Sequence, residues 1–251
     1  MPPATKRRID LLLVELGLAD SRQRAQALLM AGRVTVDGQR AEKPGTLVGT
    51  SATVEVKSPP LYVGRGGIKL AHAVETFALE IAKTTVLDVG ASTGGFTDCL
   101  LQKGAKRVYS LDVGHGQIDL RLRRDPRVVV MEGVNARYPF QLPETVDLAT
   151  VDVSFISLTI VLPSVKEHLA PGSQIIALVK PQFEAMRRLV GKRGVVRDPK
   201  THAAVLARLI VWATQHGLRL RDLTPSPLLG NAGNREFFLL LETERGTRKP
   251  S

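Results

Sequence analysis

Apolar side chains recur at Ile9, Leu12, Leu13 and Leu16 in the segment RIDLLLVELGLA, the spacing of one helical face, and Gly17 follows as a left-handed stop. Asp20 or Ser21 is placed to cap a second helix from Arg22 to Ala31, ended by Gly32, with Ala25, Leu28 and Leu29 on one face. Arg22 and Arg24 fall off that face, toward solvent or phosphate. Val34 and Val36 then alternate ahead of an Asp37-Gly38 hairpin turn, and ATVEV reads as a closing strand. The pattern predicts a small α+β domain over 1–58. The prolines and glycines of KSPPLYVGRGG break it, giving a linker over 59–67.

From Ile68 the periodicity alternates between helical and strand-like, which predicts an α/β domain over 68–245, with a tail at 246–251. IKLAHAVETFAL and THAAVLARLIVWATQHG are amphipathic helices. Strands are expected at Thr85–Asp88, Arg107–Asp112, Arg127–Met131, Val146–Asp152, Gln174–Lys180, Leu218–Leu223 and Glu236–Leu241, in a parallel sheet covered by helices.

Charge adds a partner class. The 251-residue chain carries 35 Lys and Arg against 24 Asp and Glu, a net charge of +11 that suits a polyanion. No apolar run reaches membrane-spanning length, because the richest, near Leu148–Val165, is interrupted by Asp152, three serines and Pro163. No secretory signal is read in MPPATKRRID, and the expected compartment is the cytoplasm. The single cysteine, Cys99, excludes an internal disulfide and reads as a buried helical residue; no metal site is expected.

The stretch LDVGASTGGF, Leu87–Phe96, runs a strand into an acid and a loop of small residues. It lacks the Gly-Lys-Ser/Thr ending of a phosphate-cradling loop. It also fails the dinucleotide fingerprint, since Ser92 stands where backbone must approach a pyrophosphate. Asp88, Gly90, Gly94 and Gly95, with Asp112 closing the next strand, suit S-adenosylmethionine, which carries an ammonium and a ribose diol but no phosphate. Asp112 can accept both ribose hydroxyls, Asp88 can act on the ammonium side directly or through water, and Ser92, Thr93 and Phe96 complete the loop. Glu132 or Asn135, after the third strand, is positioned to meet an adenine.

In an open α/β sheet, ligands sit beyond the carboxyl ends of the strands. Asp152 and Lys180 lie at two such ends, Lys69 begins the helix before the first strand, and Glu236 opens the last strand. Methyl transfer from a sulfonium to a hydroxyl needs an aligned acceptor oxygen and a base for its proton. A lysine serves only if its pKa falls well below about 10.4 through burial and cationic neighbours. Lys180 is the candidate base, Asp152 its orienting partner, and Lys69 and Glu236 the pair that positions the acceptor.

Arg8, Asp10, Leu13, Gly17, Ser21, Arg22, Ala25, Leu28, Gly32, Val34, Val36 and Gly38 echo the S4 RNA-binding domain. That resemblance implies structured RNA as a partner, with Arg8, Arg22, Arg24, Arg33 and Lys43 as phosphate contacts; Arg65 in the linker joins them as a candidate. The set GGIKL, LDVGASTGGFTDCLL, VDVSFISL, LVKPQFE and GNREFFLLL resembles the TlyA-type proteins, called hemolysins or ribosomal RNA 2'-O-methyltransferases, whose catalytic part is FtsJ-like and Rossmann-like. The resemblance implies a Lys-Asp-Lys-Glu tetrad on Lys69, Asp152, Lys180 and Glu236, S-adenosylmethionine as cofactor, and a cytidine ribose in ribosomal RNA or ribosomal subunits as acceptor.

Rival chemistries leave different marks. Amino-directed base methylation favours prolines and an aromatic after the fourth strand, where this chain reads Asp152-Val153-Ser154-Phe155. Carbon-5 chemistry needs a nucleophilic cysteine, and Cys99 lies on the wrong side of the site. A membrane-active hemolysin needs a spanning or basic amphipathic surface helix, whereas these apolar faces are required by the sheet. An RNA-binding assembly factor with a silent catalytic domain is opposed by the intact lysines and glycines. The segment RRLVGKRGVVRDPK, with six Lys and Arg against one Asp, is expected to form a mobile loop whose Arg187, Arg188, Lys192 and Arg193 grip substrate phosphates.

Overall fold

Chain contacts separate the residues before Leu61 from those after it. The computed structural model describes residues 5–58 and 60–244, so the expected tail lies outside the described residues.

In the first unit, β1 (Lys6–Arg8) leads directly into α1 (Ile9–Glu15), followed by α2 (Arg22–Met30), β2 (Val34–Val36), β3 (Gln39–Ala41), β4 (Leu47–Gly49) and β5 (Val54–Val56). The capping choice falls on Ser21, whose Oγ accepts a hydrogen bond from the Arg24 amide. Asp37 and Gly38 both adopt positive φ, 49° and 78°, the requirement of a tight hairpin turn between β2 and β3. Ile9, Leu13, Ala25, Leu29 and Val34 are wholly buried and form the core. The β1–β4 ladder had no hydrophobic signature, since β1 reads Lys-Arg-Arg and pairs through its backbone alone.

The second unit contains α3 (Arg65–Thr76), β6 (Thr85–Val89), α4 (Gly95–Gln102), β7 (Arg107–Asp112), α5 (Leu120–Arg123), β8 (Val128–Glu132), β9 (Val146–Val151), α6 (Leu158–Lys166), β10 (Leu169–Val179), α7 (Pro181–Glu184), α8 (Pro199–Gln215), β11 (Leu218–Pro225) and β12 (Phe237–Thr243). The seven strands run in the order β11-β12-β10-β9-β6-β7-β8. The stretch from β10 to β8 is parallel, but β12 runs antiparallel to both β10 and β11, so the expected all-parallel sheet is mixed. No helix separates β11 from β12, and a strand that returns without a crossover must come back antiparallel. Alternate residues of the inner strands feed opposite cores: Leu87 and Val89 pack on one face, Val86 on the other. This two-sided burial explains their continuous apolar reading.

Helix α3 starts at Arg65, two residues before the expected end of the linker. Gly67 is there for packing: a Cβ on it would lie 2.2 Å from the Tyr62 ring. Strand order reverses between β6 and β9, where chains leave in opposite directions and open a crevice at their carboxyl ends. Among the described residues no helix is long and apolar enough to cross a membrane.

Candidate active site

The crevice continues into a cavity of roughly 630 Å³. One wall is the turn after β6. Gly90 takes φ +85°, and a Cβ there would fall 2.3 Å from the Asp152 carbonyl oxygen, so only glycine lets the two strand ends close together. A Cβ on Gly95 would stand 3.1 Å from the Gly67 amide, which brings the start of α4 against the start of α3. Ser92, Thr93 and Phe96 line the same wall.

All four expected tetrad residues line this cavity, in two ion pairs. Lys69 Nζ lies 2.5 Å from Glu236 Oε2, with only 11% and 3% of the two side chains exposed. Lys180 Nζ lies 2.7 Å from Asp152 Oδ1, at 12% and 21% exposure, and donates a hydrogen bond to Ser154 Oγ at 2.8 Å. The Asp152 oxygen is buried and charge-paired, yet receives no well-aligned hydrogen bond. Asp152 is fixed from behind by its own amide, which donates to the Val89 carbonyl at 2.9 Å. Lys180 follows the last residue of β10 and precedes Pro181, which opens α7.

Other expected site residues are placed differently. Asp88 is fully buried and lines no part of the cavity; its oxygens accept hydrogen bonds from the Thr97 and Thr150 hydroxyls at 2.7 and 2.8 Å. Burial pushes its carboxyl up to about 6 against the opposing pull of those hydroxyls. It holds β6, β9 and α4 together. Asp112 also stands outside the cavity lining: Oδ2 accepts from the Ser92 amide and Oδ1 from the Gly114 amide, both at 2.7 Å, which braces the glycine loop. Gly94 takes φ +95° with the Leu122 side chain filling the place of a Cβ, a packing role. Glu132 is engaged by Arg123 and by the Gly116 amide, and Asn135 closes a turn onto the Arg137 amide at 3.0 Å. Neither lines the cavity.

The basic residues divide in the same way. Arg8 and Arg22 both hold Asp10, which is fully buried, with Arg8 Nη2 and Arg22 Nε each 2.9 Å from Oδ2, so Arg22 is not simply turned to solvent. Arg33 donates twice to the Lys57 carbonyl, whereas Arg24 and Lys43 are exposed. Arg65 lines the cavity and donates to the Leu229 carbonyl at 3.3 Å. Of the basic segment, Arg193 lines the cavity; Arg187 and Arg188 form an exposed 3-10 turn, Arg187–Leu189, and Lys192 is also exposed. The segment is not free: backbone bonds close it on itself, and Asn234 ties it down through Val196 and Gly194.

Besides Ser154, sequence reading missed four residues. Phe155 has φ +64°, a strained setting for a bulky side chain, and is 90% exposed while lining the cavity. Its ring centroid stands 4.9 Å from that of Phe183. Glu184 fixes the turn behind it, with Oε2 accepting from Ser157 Oγ and Oε1 from the Leu158 amide, both at 2.7 Å. Buried Asn234 is the fourth. An aromatic in VDVSF was visible, but its left-handed backbone and exposure follow from tertiary contacts.

Comparison with known proteins agrees with this architecture. The FtsJ-like methyltransferase profile matches residues 62–243 and the S4 domain profile residues 7–54. The chain is 45% identical over 245 residues to the 16S/23S rRNA (cytidine-2'-O)-methyltransferase TlyA of Mycobacterium tuberculosis, covering 96% of this chain and 91% of that protein. It is 38% identical to Hemolysin A of Brachyspira hyodysenteriae, over 92% of this chain and 98% of that one. A solved structure from Streptococcus thermophilus, described as a candidate hemolysin, superposes with TM-score 0.73 at 41% identity, covering 96% of this chain and 90% of that chain.

Proposed function

Because the chain belongs to the FtsJ-like methyltransferase family and carries an S4 domain, we propose that it methylates the ribose 2'-hydroxyl of a cytidine in ribosomal RNA, using S-adenosylmethionine. The observation that carries this reading is the meeting of two lysine–carboxylate pairs in one cavity whose other wall is the glycine turn after β6.

The cavity fits such a cofactor on its own geometry. Gly90 and Gly95 let the turn after β6 sit close against Asp152 and the start of α3, and Ser92, Thr93 and Phe96 add hydroxyls and one apolar ring to the cavity wall. These residues, braced by Asp112, would hold the methionine and ribose portions. S-adenosylmethionine, when bound, supplies an electrophilic methyl group. The chain's own residues have three tasks. Lys180 Nζ takes up the hydroxyl proton as the acceptor oxygen becomes nucleophilic, and Asp152 and Ser154 hold that amine in place. The Lys69–Glu236 pair hydrogen-bonds the acceptor and fixes its direction of attack. The exposed Phe155 ring, backed by Phe183, gives the acceptor base a surface to stack on.

The relatives named above supply the cytidine and the ribosomal RNA in this proposal. The S4 unit suits it: Arg24 and Lys43 are exposed, and Arg8 and Arg22 keep exposed edges while Asp10 orients them. The test is to incubate protein-free ribosomal RNA and intact subunits with the protein and labelled S-adenosylmethionine, then map nucleosides by mass spectrometry. The expected product is 2'-O-methylcytidine. A methylated base, or no product on any RNA, would overturn the reading.

A further inference from the structure

Asn234 lies in the β11–β12 loop, two residues before Glu236, and is 0% exposed. Its side chain serves a different part of the chain. Oδ1 accepts from the Val196 amide at 2.9 Å, and Nδ2 donates to the Gly194 carbonyl at 2.8 Å. Its own carbonyl accepts from the Gly230 amide at 2.9 Å, closing the loop that wraps Glu236. Gly230 packs so tightly there that a Cβ would stand 2.4 Å from Glu236 Oε1. On the far side, the Val196 carbonyl meets His202 Nε2 of α8 at 2.9 Å. One amide therefore joins the basic segment between α7 and α8 to the loop that presents the carboxylate partner of Lys69.

We propose that Asn234 is a positioning residue that registers the basic segment, through Arg193, against the Lys69–Glu236 pair, so that gripping an RNA phosphate and placing the acceptor hydroxyl become one event. The inference rests on the RNA-methyltransferase reading of the cavity. Asparagine is suited to the place because it offers an acceptor and a donor at opposite ends of one short planar group. Aspartate keeps the bond from Val196 but sets a carboxylate oxygen against the Gly194 carbonyl. Alanine leaves both backbone groups without their partner. Of the basic side chains in this segment, Arg193 reaches the cavity wall, so loss of the tie is felt by RNA before it is felt by cofactor.

The experiment uses the full chain with Asn234→Ala, Asn234→Asp, the neutralised loop Arg187→Ala/Arg188→Ala/Lys192→Ala/Arg193→Ala, and the combination of Asn234→Ala with that loop. Binding of purified ribosomal subunits is measured across a salt series, cofactor binding by calorimetry, and local opening by hydrogen exchange. Both Asn234 variants should bind subunits about tenfold more weakly, with the salt slope reduced by roughly one as a phosphate contact is lost. Cofactor affinity should stay within about twofold, and faster exchange should be confined to 186–197. In the neutralised loop, Asn234→Ala should add little, because both changes remove the same contact. Additive losses, unchanged subunit binding, or exchange that rises across the whole sheet would overturn the proposal. If binding follows this pattern while the unaltered protein forms no ribose methyl group, the methyltransferase reading fails and the tie stands.

Discussion

The two units each contain a tightly paired cluster of charges, arginines around an aspartate in the first and lysines against carboxylates in the second, turned to opposite ends. In the first unit Asp10 is surrounded: Arg8 donates to both of its oxygens, and Arg22 and Gln26 add to Oδ2. The Arg8 hydrogen bonds hold its carboxyl well below the usual carboxylate range, ahead of burial, which pulls the other way. In the second unit the two lysine–carboxylate pairs stand along an open cavity, and Asp152 Oδ1 faces its lysine without an aligned hydrogen bond. A saturated cluster stores its interactions in the fold. An incompletely satisfied one keeps capacity for a substrate, and active sites commonly hold such capacity at some cost in stability.

Removing one partner from each cluster should therefore fail in different currencies. The largest effect is expected for Lys180→Met, which deletes the proposed base: single-turnover methylation should fall by about 10² to 10⁴, while cofactor affinity holds. A rate within about threefold of the unaltered protein would remove lysine-base chemistry. Next comes Asp10→Ala, which removes the buried acceptor that orients two half-exposed arginines and Gln26. It should cost the first unit about 1–3 kcal/mol, seen as early loss of amide protection over 5–58, with cofactor binding unchanged. A stable first unit in that variant would show the cluster to be incidental. Phe155→Ala should follow, raising KM for RNA by the equivalent of about 1–3 kcal/mol of lost stacking and leaving cofactor binding alone. An equal fall in kcat at saturating RNA would instead mark the ring as part of the chemistry.

The same contrast shows what was readable in the sequence. Helix stops, the hairpin and every strand of the large sheet follow from local pattern, because apolar periodicity and positive-φ glycines act within a few residues. Lys69, Asp152, Lys180 and Glu236 were legible because helix starts and strand ends converge in this fold class. Strand direction at β12 was not, since it depends on whether a loop of ordinary composition carries a crossover. Acids were the hardest to assign. Asp10, Asp88, Asp112 and Asp152 look alike in sequence, and only their neighbours separate a clamp on arginines, a buried tie, a loop brace and the partner of a cavity lysine. Asn234 and Glu184 act on backbone groups far away in the chain, and such contacts leave no spacing to read.

Asp88 allows the finest test of this distinction, because it is a buried acid with hydroxyl partners and no cation. Its folded pKa of about 6 lies above the ordinary 3.8 of an aspartate, so the folded state holds the proton more tightly. The sign follows by linkage: the contribution of Asp88 should be fully present below about pH 4, fall away as pH rises toward 6 and be absent above it, against the opposite trend of Asp119, Asp125, Glu132, Glu144 and Asp198, whose partners hold their carboxyls low. At about 1.4 kcal/mol per pKa unit the ceiling is near 3 kcal/mol, less whatever the chain relaxes. Asp10 must show the opposite trend, its contribution present at neutral pH and lost on acidification. Denaturation of the full chain, followed by hydrogen exchange separately over 5–58 and 61–244, resolves the two. The stability difference between the unaltered chain and Asp88→Asn should change between about pH 4 and 6 over the second unit and stay flat over the first. If that difference is flat over the second unit as well, Asp88 does not titrate in this range.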